Sequence, residues 1–194
     1  MTRRYCQRCQ RPESVCICQL IVNVNNDCHV VILQHPSEVK QAKGTVTLLA
    51  QCLDNCQVIV GENFTENNEL NQLLEKYQDN IHLLYPSESA EVVTAKKYED
   101  KKRAPCIILL DGTWKKAYKM YMLSKNLHAI AHLCLPEGVT GRYLIRQTKK
   151  NNALSTLEAC SHALALIEQS PKKYQALLRS FEQFNQLHLS YKQS

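Results

Sequence analysis

An unbroken apolar run, Cys106-Ile107-Ile108-Leu109-Leu110, stops abruptly at Asp111-Gly112. A strand without polar alternation must be covered on both faces, as central strands are in parallel sheets flanked by helices. A second run, His29-Val30-Val31-Ile32-Leu33-Gln34-His35, stops at Pro36, and Val58-Ile59-Val60 stops at Gly61. The stretches 81–85 and 130–135 end at Pro86 and Pro136 and read as two further strands. Between the strands, apolar residues recur at helical spacing. Val39, Ala42, Val46, Leu49, Ala50 and Leu53 form one such set, interrupted by Gly44; Leu70, Leu73, Leu74 and Tyr77 form another, and 114–123 a third. Ser155-Thr156-Leu157-Glu158 matches a capping box before a helix over 159–169. Ser170-Pro171 opens a last amphipathic helix carrying Tyr174, Leu177, Leu178, Phe181 and Phe184. The polar stretch 96–103 reads as a helix end and surface loop. Strands alternating with helices give an α/β fold with a mostly parallel sheet and flanking helices.

Ten cysteines in 194 residues first suggest a disulfide framework, but their placement argues otherwise. Cys6, Cys9, Cys16 and Cys18 crowd the N-terminus, whereas Cys28, Cys52, Cys56, Cys106, Cys134 and Cys160 sit singly among apolar residues, as small buried hydrophobes do. No apolar segment follows Met1-Thr2-Arg3-Arg4 as it would in a secretory signal, so the expected location is the cytoplasm, where grouped cysteines bind metal more often than they pair. The pattern Cys6-x2-Cys9-x6-Cys16-x-Cys18 offers four thiolates, enough for a closed tetrahedral zinc site. Free structural thiols and iron–sulfur or redox chemistry are the other readings of the same cluster. Any zinc held by four protein ligands is structural. The cluster sets the one candidate boundary, between a zinc-binding segment (1–22) and a catalytic domain (23–194).

The net charge of +6 is unevenly placed. Between Thr113 and Lys150, Lys115, Lys116, Lys119, Lys125, Arg142, Arg146, Lys149 and Lys150 face a single acid, Glu137; Arg3, Arg4, Arg8 and Arg11 face Glu13 at the N-terminus. Such stretches suit a polyanion, since each neutralised phosphate releases condensed counterions; a solvated lysine-rich surface looks the same. No run approaches the ~20 apolar residues of a membrane helix.

In open parallel sheets, ligands collect beyond the carboxyl ends of the strands. Three polar segments fall there: Gln34-His35-Pro36-Ser37-Glu38, Asp111-Gly112-Thr113-Trp114, and 136–146. Asp111 should emerge at the sheet edge, Gly112 allows close backbone approach, Thr113 can cap the following helix, and Trp114 offers a flat apolar face. A helix-capping turn with a core tryptophan reads the same way, so the two stay open. Arg142, Tyr143 and Arg146 follow a loop at another strand end and suit carboxylate, phosphate or base contacts, or a surface loop. Ser155-Thr156 is a helix cap that can also present amides to a ligand carboxylate. His35 is an acid–base candidate or a satisfied structural histidine.

Taken in order, these segments resemble the DTW-domain family. The matching pieces are Cys6-Gln7-Arg8-Cys9-Gln10-Arg11-Pro12 with Cys16-Ile17-Cys18, Leu33-Gln34-His35-Pro36-Ser37-Glu38, Leu110-Asp111-Gly112-Thr113-Trp114, and Leu154-Ser155-Thr156-Leu157-Glu158-Ala159. The sequence departs from relatives in lacking a proline after Arg146-Gln147. The resemblance implies a tRNA-uridine aminocarboxypropyltransferase that moves the 3-amino-3-carboxypropyl group of S-adenosylmethionine onto N3 of a uridine. It also implies a SPOUT-like architecture with a knotted C-terminal portion, which ordinary connection rules never predict. On this reading Asp111 is the base for N3. Leu110, Gly112, Thr113, Leu135, Arg146, Ser155 and Thr156 hold S-adenosylmethionine. His35, Trp114, Lys115, Arg142 and Tyr143 hold tRNA, and Cys6, Cys9, Cys16 and Cys18 hold structural zinc. The rival functions are a SPOUT-type RNA methyltransferase using the same donor and a non-enzymatic zinc-containing RNA-binding module.

Overall fold

Side chains alternate along strands β1 (His29–Gln34) and β5 (Cys106–Asp111), and both faces of the pair are buried. Val30, Ile32, Ile107 and Leu109 enter one apolar cluster, while Val31, Leu33, Cys106 and Ile108 enter the other. A sheet filled on both sides needs a helical layer on each. In the computed structural model, which describes residues 4–94, 104–139 and 154–190, α1 (Val46–Cys52), α4 (Thr156–Ile167) and α5 (Pro171–Ser190) cover the first face. The second face is covered by α2 (Asn68–Tyr77) and α3 (Trp114–Leu123).

The sheet is completed by β2 (Cys56–Val60), β3 (Ile81–Leu84), β4 (Glu91–Val92) and β6 (Ala131–Cys134). Its order is β2-β1-β5-β3-β6-β4, and every pairing is parallel. Parallel pairing brings the strands' carboxyl ends to one edge. In the β1–β5 register Gln34 lies opposite Asp111. The knot implied by the resemblance depends on the path from β6 to α4, and its residues 140–153 lie outside the described set, as does the polar stretch 96–103. Among the described residues, no helix is long and apolar enough to cross a membrane.

The helix expected from the set Val39 to Leu53 is half that length. Pro36–Glu38 forms a 3₁₀ turn and the α-helix starts only at Val46. The reason lies in the N-terminal segment. The buried Arg11 guanidinium donates to the carbonyls of Ala42 at 2.6 Å and Gly44 at 2.7 Å, carbonyls a continuous helix would need. β4, two exposed residues at the sheet edge, has no apolar pattern and was not anticipated. The capping box at Ser155 does open a helix, which begins directly at Thr156 and ends at Ile167.

The N-terminal segment packs into the first cluster through Cys9 and Ile17. Arg11 lies 5.1 Å over the Phe184 ring, and Ser180 donates to the Leu20 carbonyl. The amino end of β1 is held by one carboxylate. Glu168 Oε1, just past α4, accepts from the amides of Asp27 (2.9 Å) and Cys28 (3.0 Å), and its Oε2 accepts from Lys173 at 2.6 Å. Charge-assisted bonds of this kind contribute ~1.5–3 kcal/mol each when broken singly. Glu168→Ala is expected to destabilise the fold by about 2 kcal/mol, read as a lowered urea midpoint with unchanged m. Gln at this position should recover part of the loss.

Candidate active site

β5 ends at the turn that carries Asp111, and the turn is tight because α3 begins at once. Thr113 caps α3 by accepting the Lys116 amide at 3.3 Å. Gly112 lies under that first turn, where an added β-carbon would sit 3.1 Å from the Lys116 β-carbon and 3.7 Å from that of His35. A β-carbon there would press on the Lys116 side chain, so glycine lets α3 start this close to the strand end without strain. The Asp111 carbonyl accepts the His35 amide at 3.0 Å, which ties this turn to the end of β1.

Both oxygens of the half-buried Asp111 carboxylate are engaged. Thr156 Oγ1 donates to Oδ1 at 2.7 Å, and the buried Gln34 amide donates to Oδ2 at 3.0 Å. A carboxylate can accept about four hydrogen bonds, so this clamp fixes its direction and leaves lone pairs open.

A cavity of about 470 Å³ opens beside it, between the ends of β3, β5 and β6 and the first turns of α3 and α4. Leu109, Leu110, Leu133, Leu135 and Pro136 give it apolar walls. Gly112, Thr113 and Trp114 form one rim, Ser155 and Thr156 the other. The α4 rim is partly committed. Ser155 donates its backbone amide and its hydroxyl to Glu158 Oε2, both at 2.9 Å, and accepts the Glu158 amide at 3.2 Å. The Ser155 amide is therefore closed to a ligand. The amides of Thr156 and Leu157 belong to the first helical turn, where no intrahelical acceptor exists.

Seven residues read from the sequence as donor or RNA contacts thus share one cavity: Leu110, Gly112, Thr113, Trp114, Leu135, Ser155 and Thr156. Asp111 adjoins it through Thr156. Lys115 and His35 are not on its wall. His35 belongs to a polar cluster on the other side of the Asp111 turn. Its Nδ1 accepts the Ser37 amide at 3.2 Å, which leaves Nε2 to donate to Glu62 at 3.0 Å. Lys119 also donates to Glu62, at 2.9 Å, and these two partners draw the Glu62 carboxyl below its ordinary range, Lys119 first. Lys116 bridges Ser37 and Glu38 at 2.7 Å each. Arg142, Tyr143 and Arg146 lie outside the described residues.

Three contributors carried no role in the sequence reading. Gln34 stood in a strand-end segment, but its bond to Asp111 depends on register. Tyr85 and Pro86 line the cavity at the end of β3, a strand end that the same geometric rule covers. Tyr85 stacks on Tyr121 with centroids 5.6 Å apart and meets Trp114 edge-on at 6.4 Å. His132 packs edge-on against both tyrosines, and burial pushes its pKa below the usual value.

The N-terminal sulfurs form a second, separate centre. The Sγ atoms of Cys6, Cys9, Cys16 and Cys18 all lie within 4.8 Å of one another, with Cys6–Cys18 at 3.6 Å and Cys9–Cys16 at 3.8 Å. Tetrahedral zinc with ~2.3 Å bonds to sulfur spaces its ligands by about 3.8 Å, whereas a disulfide spans only ~2.05 Å. The backbone amides of Cys9 and Arg8 draw the Cys6 pKa down to about 6, while burial first and the other sulfurs next push Cys18 up to about 12. Four sulfurs this close ionise together only beside a cation.

The DTW domain matches residues 3–189, from ahead of the cysteine cluster to the last turn of α5. The chain is 31% identical to the tRNA-uridine aminocarboxypropyltransferase 2 of Macaca fascicularis, an alignment covering 93% of this chain and 62% of that protein. It is 32% identical to the protein of the same name in Drosophila melanogaster, over 91% of this chain and 72% of the relative. The tRNA-uridine aminocarboxypropyltransferase A of Arabidopsis thaliana is 23% identical, with 92% and 78% covered. The chain thus spans about three-fifths of the length of the macaque and mouse relatives. No solved structure matches it significantly. With the Asp-Gly-Thr-Trp turn at a cavity rim and the match running through every described element, the chain belongs to the DTW domain family.

Proposed function

We propose that this chain is an S-adenosylmethionine-dependent tRNA-uridine aminocarboxypropyltransferase, moving the 3-amino-3-carboxypropyl group to N3 of a uridine. The observation that carries the reading is the Asp111 carboxylate, held by Thr156 and Gln34 beside a cavity of about 470 Å³. Small-molecule sites measure ~300–1,000 Å³ and combine apolar walls with a few placed polar groups. The leucine walls suit the flat face of an adenine. The first-turn amides of α4, at Thr156 and Leu157, suit the methionyl carboxylate. The names of the relatives, which act on tRNA uridine, support the acceptor.

The donor supplies a carbon already bonded to a sulfonium leaving group, so the N3–Cγ bond forms as the Cγ–S bond breaks and methylthioadenosine departs. What remains for the protein is one proton and much alignment. The N3 proton passes to Asp111, which keeps lone pairs open beyond its bonds to Thr156 and Gln34. Thr156 and Gln34 keep that carboxylate aimed, and positioning of this kind supplies much of the rate. Trp114 offers a face for the displaced uracil ring. The SPOUT-like knot, the cytoplasmic location and structural zinc at the four cysteines belong to the same proposal.

Incubation with tRNA and S-adenosylmethionine labelled separately in the methyl and carboxypropyl carbons decides the group transferred. Label should enter RNA from the carboxypropyl carbons alone; methyl label would make the protein a methyltransferase. Asp111→Asn should lose at least ~100-fold in kcat, the lower end for removal of a general base, with donor binding kept. Thr156→Val should lower kcat roughly 10-fold by releasing one oxygen of the carboxylate, and Thr156→Ser should restore most of it. An unchanged rate in the valine variant would remove Thr156 from the positioning role. Metal analysis of freshly purified protein should return about one zinc per chain, lost in Cys6→Ser together with thermal stability.

A further inference from the structure

α3 shows solvent a face that a soluble helix ordinarily keeps polar. Trp114, Tyr118 and Met122 recur every fourth residue and are 54%, 56% and 50% exposed. They form one stripe along the helix axis that starts at the cavity rim, where Trp114 sits. At the rim Trp114 meets Tyr85 edge-on, and Tyr85 in turn stacks on Tyr121. Large aromatic rings left uncovered beside a ligand cavity mark a contact surface. The charge on the helix is of one sign: Lys115, Lys116 and Lys119 stand on α3 with no acid. Lys116 is tied to Glu38 and Lys119 to Glu62, while Lys115 has no carboxylate partner among the described residues. So modest a positive excess admits a nucleic-acid strand but leaves most of the affinity to the rings.

We infer that the exposed face of α3 is a stacking surface for a single-stranded, splayed segment of the RNA, with Trp114 and Tyr118 each receiving one base; this rests on the tRNA reading above. The spacing supports it. Residues four apart on a helix are displaced by about 6 Å along its axis. That is well beyond the ~3.4 Å between stacked nucleotides of one strand. Bases that meet both rings are therefore unstacked from each other, which is how single-strand readers hold RNA and how a target base becomes reachable. The stripe leads from Met122 toward the cavity rim, so the nucleotide on Trp114 is the one next to Asp111. A neighbouring nucleotide on Tyr118 would keep it from restacking. Tyr118 is a positioning residue for the acceptor, more than a turn from the chemistry.

Trp114 is the only tryptophan, so its fluorescence reports on this face alone. A single-stranded oligouridylate of about ten nucleotides, within the ~4–16 that single-strand sites cover, should quench it in the intact protein. Tyr118→Ala should weaken that binding roughly 5- to 100-fold, the range of one base–aromatic stack, while Tyr118→Phe stays within about twofold. S-adenosylmethionine affinity and the melting temperature should not move, because Tyr118 is exposed. Wild-type affinity in Tyr118→Ala overturns the inference. So does quenching that follows protein concentration without RNA and sediments as a dimer, which would assign the face to a second copy of the chain. With tRNA as acceptor, Tyr118→Ala should raise KM by the same factor and change kcat far less. If the wild type binds oligouridylate through Tyr118 but transfers no label to tRNA, the transferase reading falls and the stacking surface stands. If transfer is normal and the KM of Tyr118→Ala is unchanged, the reverse holds.

Discussion

The structure depends on the parallel pairing of β1 with β5. Both strands are buried on both faces and run in register from His29 opposite Cys106 to Gln34 opposite Asp111. A slip of one residue would turn every core side chain of β5 to the other face, so two helical layers oppose it at once. That register aligns the core and also brings Gln34 to Asp111 at the strand ends. The same constraint that fills the interior therefore aims the carboxylate. Helix α4 completes the arrangement by delivering Thr156 from the opposite side.

Much of the fold was legible because its elements carry strong local patterns. Helix α3 spans Trp114–Leu123 as its spacing indicates, and the capping box at Ser155 opens α4. What escaped was set by contacts distant in sequence. The shortened α1 follows from Arg11, whose bonds to Ala42 and Gly44 cross more than thirty residues. β4 escaped because two exposed residues hold no pattern to read. In the site, strand ends and turn residues pointed to the cavity rim, whereas Gln34 acquires a role only through register. His35 stood in an equally suggestive segment, yet its ring faces Glu62 in a polar cluster away from the cavity wall.

Besides the apolar contacts of Cys9 and Ile17, the N-terminal segment is tied in by Arg11. The Arg11 guanidinium is buried without a carboxylate partner in hydrogen-bond reach among the described residues; two backbone carbonyls and the Phe184 ring surround it instead. Removing such a charge from water costs several kcal/mol unless its donors are satisfied. The geometry that satisfies it joins three pieces of chain: the cysteine cluster, the loop before α1, and α5. Loss of order at the four sulfurs would thus be felt in the helical layer over the sheet.

Thr156 belongs to two structures, the first turn of α4 and the clamp on Asp111. A hydroxyl owns a single hydrogen, and here that hydrogen is committed to the carboxylate at 2.7 Å. Toward the cavity Thr156 Oγ1 can then only accept. The rim is in this way sorted by polarity: the oxygen welcomes a hydrogen-bearing group, such as an ammonium, while the helix amides beside it welcome an anion. A small zwitterion meeting this rim finds one end of itself preferred at each position, so the clamp on Asp111 doubles as a compass for whatever lies in the cavity.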